Sequence, residues 1–216
     1  MPKARAAVCH AFGQELAIEE ITLAKPGPGE VLVDVKACAI CHSDISYAEG
    51  AWGGTLPAVY GHEAAGVVAA TGAGVTGLAP GDHVVVTLIR SCGACHYCRR
   101  QSRVMCEEVF ALDRQGALTG ADGSRYEQAL RTGAFADKVV VHQSQLVAIP
   151  ADIPFDSASL LACGVITGFG AVVNSARVGP GEAVAVIGCG GVGLNSIQGA
   201  AIAGAAPIVA IDLHDD

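Results

Sequence analysis

Ala183-Val184-Ala185-Val186-Ile187-Gly188-Cys189-Gly190-Gly191-Val192-Gly193 opens as a short apolar strand and closes in a glycine loop. Leu194–Ala203 follows with small residues suited to a helix, and Ile208–Ile211 is a second apolar strand. The order β-α-β predicts the opening of a parallel sheet. Gly188, Gly190, Gly191 and Gly193, with Val192 between them, fit G-x-G-x-x-G. Glycines there permit a tight turn and close approach of backbone to a pyrophosphate, with the helix N-terminus facing the negative charge. Asp212 ends the second strand, about twenty residues past the loop, where an acid accepts hydrogen bonds from an adenosine ribose. An acid there also repels a 2′-phosphate, so NAD is expected over NADP. The plainer reading of Asp212 is a surface carboxylate at a strand end.

No charged residue occurs from Ala183 to Ile211. That length could span a bilayer. Seven interruptions by Gly188, Gly190, Gly191, Gly193, Gly199, Gly204 and Pro207 argue for buried strands and a small-residue helix instead.

Working back from the loop, Gly179-Pro180-Gly181 is a turn, and Asp156 or Ser157 is expected to cap a helix running towards Arg177. Residues 1 to about 150 read as mostly β. Ala4–Cys9, Glu15–Ile21, Val31–Ala39, Gly66–Thr71, Val84–Leu88 and Lys138–Val141 are strand-like. Turn signals such as Lys25-Pro26-Gly27-Pro28-Gly29 separate them, which suggests a barrel or sandwich. Two domains are expected, 1–150 with a metal lobe at 91–107, and 151–216.

The lobe holds Cys92, Cys95, Cys98 and Cys106 in the spacing C-x2-C-x2-C-x7-C. Four thiolates on one short loop make a closed tetrahedral site for structural zinc. An iron–sulfur cluster is the alternative metal. A second constellation is dispersed. Cys41-His42-Ser43-Asp44, then Gly61-His62-Glu63, then Cys163 supply soft and borderline ligands. Catalytic zinc takes three protein ligands and leaves one position open. Cys41, His62 and Cys163 are the candidates, although each alone could be an ordinary core residue.

Lys plus Arg number 13 and Asp plus Glu 21, a net charge of −8, which argues against nucleic acid or an anionic membrane as partner. The chain is 51% hydrophobic and 16% charged, enough to bury a sizeable core. The N-terminus shows no signal-peptide core, so the nine cysteines read as cytoplasmic thiols or metal ligands rather than disulfides.

Taken together, the segments around Cys41, Gly61-His62-Glu63-Ala64-Ala65-Gly66, the four-cysteine lobe, Leu160-Leu161-Ala162-Cys163-Gly164 and the glycine loop resemble the zinc-dependent alcohol dehydrogenases of the medium-chain dehydrogenase/reductase superfamily. The resemblance implies a β-rich GroES-like barrel followed by the start of an α/β Rossmann fold, with two zinc ions and NAD. It implies hydride transfer between an alcohol or aldehyde and NAD. Ser43 would take the hydroxyl proton, Asp44 would orient His62, and Glu63 would lie behind the zinc. His42 would sit near the pyrophosphate and Thr167 near the nicotinamide. A homo-oligomer is expected of a full-length form.

There are departures. Ser46 stands where many members carry the relay His. Asp122-Gly123-Ser124-Arg125 is similar to the glutathione-adduct branch, yet Glu107-Glu108 replaces that branch's basic residue, which disfavours an anionic glutathione substrate. The chain stops at Asp216, after the second Rossmann strand, so the 216 residues alone are expected to be a poor dehydrogenase. The competing expectation is a truncated, catalytically inactive, zinc-stabilised structural or interaction module. A thiol-based redox sensor is a third.

Overall fold

The computed structural model describes residues 1–214. They form two compact units, Met1–Ala162 and the described residues from Cys163 onward.

The first unit is built from β1 (Lys3–Cys9), β2 (Ala17–Leu23), β3 (Glu30–Ala39), α1 (His42–Ala48), β4 (Ala58–Val59), β5 (Glu63–Thr71), β6 (His83–Val86), α2 (His96–Arg99), α3 (Ala111–Gln115), β7 (Leu118–Thr119), β8 (Arg125–Gln128), β9 (Lys138–His142), β10 (Leu146–Ala148) and α4 (Phe155–Leu160). The order β1-β2-β7-β8-β4 closes into a barrel, since β4 pairs with β1 on one side and β8 on the other. A five-stranded sheet, β10-β6-β5-β3-β9, stands beside it. The expected barrel domain is therefore present. Alternation in β1, with Ala4, Ala6 and Val8 buried between exposed Lys3 and Arg5, gives one face to the core. Val31, Val33, Ala64, Val68, Val84, Val86, Val139 and Val141 fill the second core, where the β-branched side chains pack face to face.

Two features bring chemistry-bearing residues to one place. β3 and β5 pair antiparallel, with Ala39 opposite Glu63, so the chain leaving β3 for Cys41 lies beside the chain entering β5 from His62. A Cβ on Gly66 would stand 2.2 Å from the carbonyl oxygen of Asp34, so only glycine lets the two strands approach next to the irregularity at Val35. Gly61, at φ +91, would clash with the backbone N of Phe135 at 2.6 Å if it carried a Cβ.

The first unit runs past residue 150 because α4 packs on its sheet. Ala158 and Ala162 join Ala65 and Val85 in a small core. The helical run Phe155–Ala176 is long and apolar enough to cross a membrane by length and composition; its first turns are held in this core. Its start differs from the sequence reading. Pro154, not Asp156 or Ser157, occupies the N-cap position, and Asp156 accepts the backbone N–H of Ser157 inside the first turn. Proline's fixed φ makes it an apt lead into a helix.

The helix continues through a π turn, Leu161–Val165. The second unit holds α5 (Ile166–Gly170), a π turn at Ala171–Ala176, β11 (Val184–Ile187), α6 (Gly191–Ile202) and β12 (Ile208–Ile211). β11 and β12 pair in parallel, Val184 with Ile208 through Ile187 with Ile211. This is the β-α-β unit read from the sequence. α6 begins at Gly191, inside the expected loop rather than after it, because Gly190 already serves as N-cap. Among the described residues the parallel sheet has two strands.

Candidate metal centres and their surroundings

The four-cysteine lobe is the more compact centre. One ligand atom from each of Cys92, Cys95, Cys98 and Cys106 lies within 4.8 Å of every other. The Cys92–Cys98 and Cys95–Cys106 sulfur pairs are each 3.9 Å apart. Tetrahedral zinc with bonds of about 2.3 Å sets its sulfurs ~3.8 Å apart, so the thiols already hold the spacing the ion needs. Backbone N–H groups point at the sulfurs. Cys95 donates to Cys92 Sγ at 3.2 Å, Cys98 to Cys95 Sγ at 3.5 Å, and Cys92 to Cys106 Sγ at 3.3 Å. Such donors favour the thiolate, the form that binds metal. The N–H groups of Cys98 and Glu107 draw the Cys95 thiol down to about 6. Burial pushes Cys98 up to about 11.

Both ends of the lobe converge on a buried arginine that the sequence reading did not single out. The Arg90 side chain is fully buried. It donates from Nη2 to Asp113 at 2.5 Å and lies over the Phe110 ring at 4.8 Å. Burial lowers its pKa, opposed by Asp113. Next to it, Ser91 N–H donates to Ser144 Oγ at 2.9 Å. Residues just before Cys92 and just after Cys106 are thus tied to the same β framework.

The second centre is organised by one carboxylate. Asp44, 2% exposed, sits at the start of α1. Its Oδ2 accepts Cys41 N–H at 3.0 Å; its Oδ1 accepts Gly61 N–H and pairs with His62 Nδ1, each at 3.0 Å. A carboxylate only accepts, so Nδ1 carries a proton; in the neutral ring Nε2 is then the nitrogen able to ligate a metal. His62 and Glu63 are buried, and ligand atoms of Cys41, His62 and Glu63 lie within 4.8 Å of one another. The donor set of thiolate, imidazole and carboxylate suits zinc. Ser43 is half-buried on α1, and Ser46, also half-buried, stands one turn further along the same helix. His42 is exposed.

Cys163 opens the second unit, half-buried, its Sγ 3.8 Å from Thr167 Oγ1. In the glycine loop, Gly188 has φ +92, and a Cβ on Gly193 would stand 1.8 Å from the Gly188 carbonyl oxygen. A Cβ on Gly168 would stand 2.3 Å from the Val192 carbonyl oxygen, so glycine lets α5 lie close against α6. Asp212 follows β12 and accepts Cys189 N–H at 2.5 Å and Leu213 N–H at 2.7 Å. These donors, that of Cys189 foremost, hold its carboxyl below the usual range. The carboxylate thus braces the glycine loop as well as standing where a ribose is expected.

A cavity of about 640 Å3 in the first unit is lined by Tyr47, Tyr60, Glu107, Val109, Leu130 and Arg131 among others. Tyr47 stacks on Tyr60 and meets Trp52 edge-on. Cys106, Glu107 and Glu108, at the end of the four-cysteine lobe, also line it.

Comparison with known proteins follows the same lines. The profile described as "Alcohol dehydrogenase GroES-like domain" matches residues 27–151. Alcohol dehydrogenase 1 of Pisum sativum is 37% identical over 98% of this chain and 58% of its own length. Alcohol dehydrogenase class-3 of Cereibacter sphaeroides is 38% identical over 99% of this chain and 59% of its own. The crystal structure of an alcohol dehydrogenase zinc-binding domain protein from Burkholderia ambifaria superposes with a TM-score of 0.92 at 37% identity, covering 99% of this chain and 60% of that one. The chain therefore spans somewhat under two thirds of the relatives it matches.

Proposed function

The chain belongs to the zinc-dependent alcohol dehydrogenases of the medium-chain dehydrogenase/reductase superfamily, and from that premise we propose that it is a zinc-stabilised module of that fold, its residues arranged for NAD-linked oxidoreduction of a small alcohol or aldehyde. The observation that carries the reading is the Asp44 carboxylate, which gathers Cys41, Gly61 and His62 and holds His62 by Nδ1, beside the ligand atoms of Cys41 and Glu63. Cys41, His62 and Cys163 are the proposed ligands of one zinc ion, the last on sequence resemblance; Cys92, Cys95, Cys98 and Cys106 hold the other. A metal in the first set supplies Lewis-acid polarisation of a hydroxyl.

The protein's own groups do the rest. Asp44 fixes the tautomer and direction of His62. Ser43 takes the hydroxyl proton and hands it on. Ser46 replaces the usual relay imidazole, so solvent receives the proton. Glu63, whose carboxylate oxygen lies within 4.8 Å of the Cys41 and His62 ligand atoms, takes the place behind the zinc that the resemblance implies. The 640 Å3 cavity is the proposed entry for the alcohol, by way of Tyr47 on the same helix as Ser43; Tyr47, Tyr60, Ala129 and Leu130 give it apolar wall, and Glu107, Glu108, Glu127 and Arg131 give it charge that disfavours an anionic substrate. Gly188, Gly190, Gly191, Val192 and Gly193 receive the pyrophosphate of NAD and Asp212 its ribose, with His42 and Thr167 as further contacts. Assembly as a homo-oligomer and a cytoplasmic location belong to the same proposal.

Two readings of activity divide here. With two parallel strands described, the module reading has the chain bind zinc without efficient turnover. The enzyme reading draws on Asp44, His62 and Ser43, which a mere scaffold does not need. Elemental analysis and an assay of NADH formation with several alcohols separate them. Two zinc ions per chain with little NADH supports the module reading; turnover of about 1 per second or more overturns it. One zinc or none defeats the second metal site.

A further inference from the structure

One corner of the cavity is held in an unfavourable backbone conformation. Leu130 and Arg131 are consecutive non-glycine residues with φ +52 and +59, and both line the cavity. Left-handed backbone at non-glycine residues persists only where the surroundings impose it. The group that imposes it is Gln145. Its side chain is fully buried, and its amide nitrogen donates to the Arg131 carbonyl and to the Thr87 carbonyl, each at 3.0 Å. Its Oε1 accepts His142 N–H at 3.3 Å, and Thr87 N–H returns a bond to the Gln145 carbonyl at 2.9 Å. Both amide hydrogens and the oxygen are therefore used. The corner is also braced by Gln128, which donates to Thr132 O and Val140 O.

We propose that Gln145 is a positioning residue that sets the shape of the cavity, and hence which alcohol it accepts, by locking the left-handed Leu130–Arg131 corner to the end of β6. This rests on the reading that the cavity receives the alcohol. The amide geometry explains why a glutamine is used. Two carbonyls on separate segments need two donors from one atom, and a carboxylate or an aliphatic chain offers none. Without those donors the Thr87 and Arg131 carbonyls lose this partner and the corner relaxes to φ below zero, moving Leu130 out of the wall.

The experiment uses the full zinc-loaded chain and Gln145→Met, which keeps length and removes both donors. Arg131 is exposed, so trypsin cleavage at Arg131–Thr132, read by mass spectrometry, reports the corner directly. Benzyl alcohol is the probe for the cavity, followed through the fluorescence of Trp52, the sole tryptophan, which touches the cavity-lining Tyr47. Gln145→Met is expected to speed the cleavage and weaken benzyl alcohol binding, each about five- to thirtyfold, the effect of one to two lost hydrogen bonds. Unchanged cleavage overturns the role of Gln145. Faster cleavage with unchanged benzyl alcohol binding overturns the link to the cavity, and a wild-type chain blind to benzyl alcohol overturns the cavity reading itself. If Gln145→Met melts too low to assay, Arg131→Gly decides. Glycine tolerates the left-handed φ unaided, so Gln145→Met should lower the melting temperature less in that background than in the wild type; equal losses refute the proposal.

Discussion

Asp44→Asn is the sharpest perturbation available, because it changes one atom of a buried group that three donors address. Cys41 N–H, Gly61 N–H and His62 Nδ1–H all point at the carboxylate at 3.0 Å. Asparagine keeps one acceptor oxygen. If that oxygen serves Gly61 and His62, the new NH2 group faces Cys41 N–H, donor against donor. A hydrogen bond to a charged acceptor contributes about 1.5–3 kcal/mol, and a buried donor left unpaired costs about 1–3 kcal/mol. Partial relaxation of α1 recovers some of this, so the net loss is expected at ~2–4 kcal/mol. In a domain of this size each kcal/mol moves the midpoint by about 2–4 °C, which places the fall in Tm at ~4–16 °C. The metal should respond too. His62 loses the partner that fixes its tautomer, and such losses weaken metal binding about 10–100-fold. Thermal melts of the metal-free chain measure the first effect and Co2+ titration the second. The four-cysteine lobe is the internal control, since its ligands share no hydrogen bond with Asp44. An Asp44→Asn chain that melts with the wild type and binds Co2+ equally would refute the view that this carboxylate assembles the site.

Three further outcomes are expected. Cys106→Ser should lower the melting temperature more than Cys41→Ser, because a structural zinc contributes about 10–16 kcal/mol of apparent binding energy in small zinc modules; equal losses in a calorimeter would contradict the division into structural and catalytic sites. Asp212 is depressed by the N–H groups of Cys189, Leu213 and His214, so its bracing of the glycine loop is complete above the ordinary carboxyl pKa and is lost as pH falls through the lower folded value. The NMR shift of the Cys189 amide should stay constant from neutral pH down to ~4 and move only below that; a transition at higher pH would count against the bond. In a complete enzyme with this sequence, Asp212→Gly should narrow a preference for NAD over NADP, as measured by the ratio of kcat/KM values, and a wild type indifferent between the two would remove the ribose role.

What could be read from the sequence follows how local each signal is. The strands β1, β2, β3, β5, β6 and β9 were legible because β-branched runs sit between Gly- and Pro-rich turns, as in Val31–Ala39 after Pro26-Gly27-Pro28-Gly29, whereas β4, β7, β8 and β10, of two to four residues each, are too short to show an alternation and were not legible. The four-cysteine lobe was legible because its ligands are close in the chain and few other roles demand that spacing. Helix starts were less so. Asp156 looked like a cap, yet its carboxylate turned to its own neighbour Ser157, and Pro154 began the helix. Gln145 and Arg90 left no trace. A polar residue beside a β-run reads as a solvent-facing position until the fold places Thr87, Arg131 and Asp113 around it, each far away in sequence.

The buried polar groups of the first unit also tie its site to its fold. Asp44, His62 and Glu63 are all buried, and Asp44 with His62 is satisfied by the protein itself. The stability of α1 and of the turn at Gly61 therefore comes from the same hydrogen bonds that aim His62. A substitution that loosens one loosens the other, so metal affinity and fold stability near Asp44 should fall together. Around the four cysteines the dependence runs the other way. There backbone N–H groups, Arg90 and the Ser91–Ser144 bond order the lobe, and the sulfurs face one another at 3.9 Å with like charges once ionised. A cation among the thiolates would offset that repulsion. In one centre a carboxylate of the fold aims the imidazole; in the other the backbone spaces the sulfurs and a bound cation would supply the balancing charge.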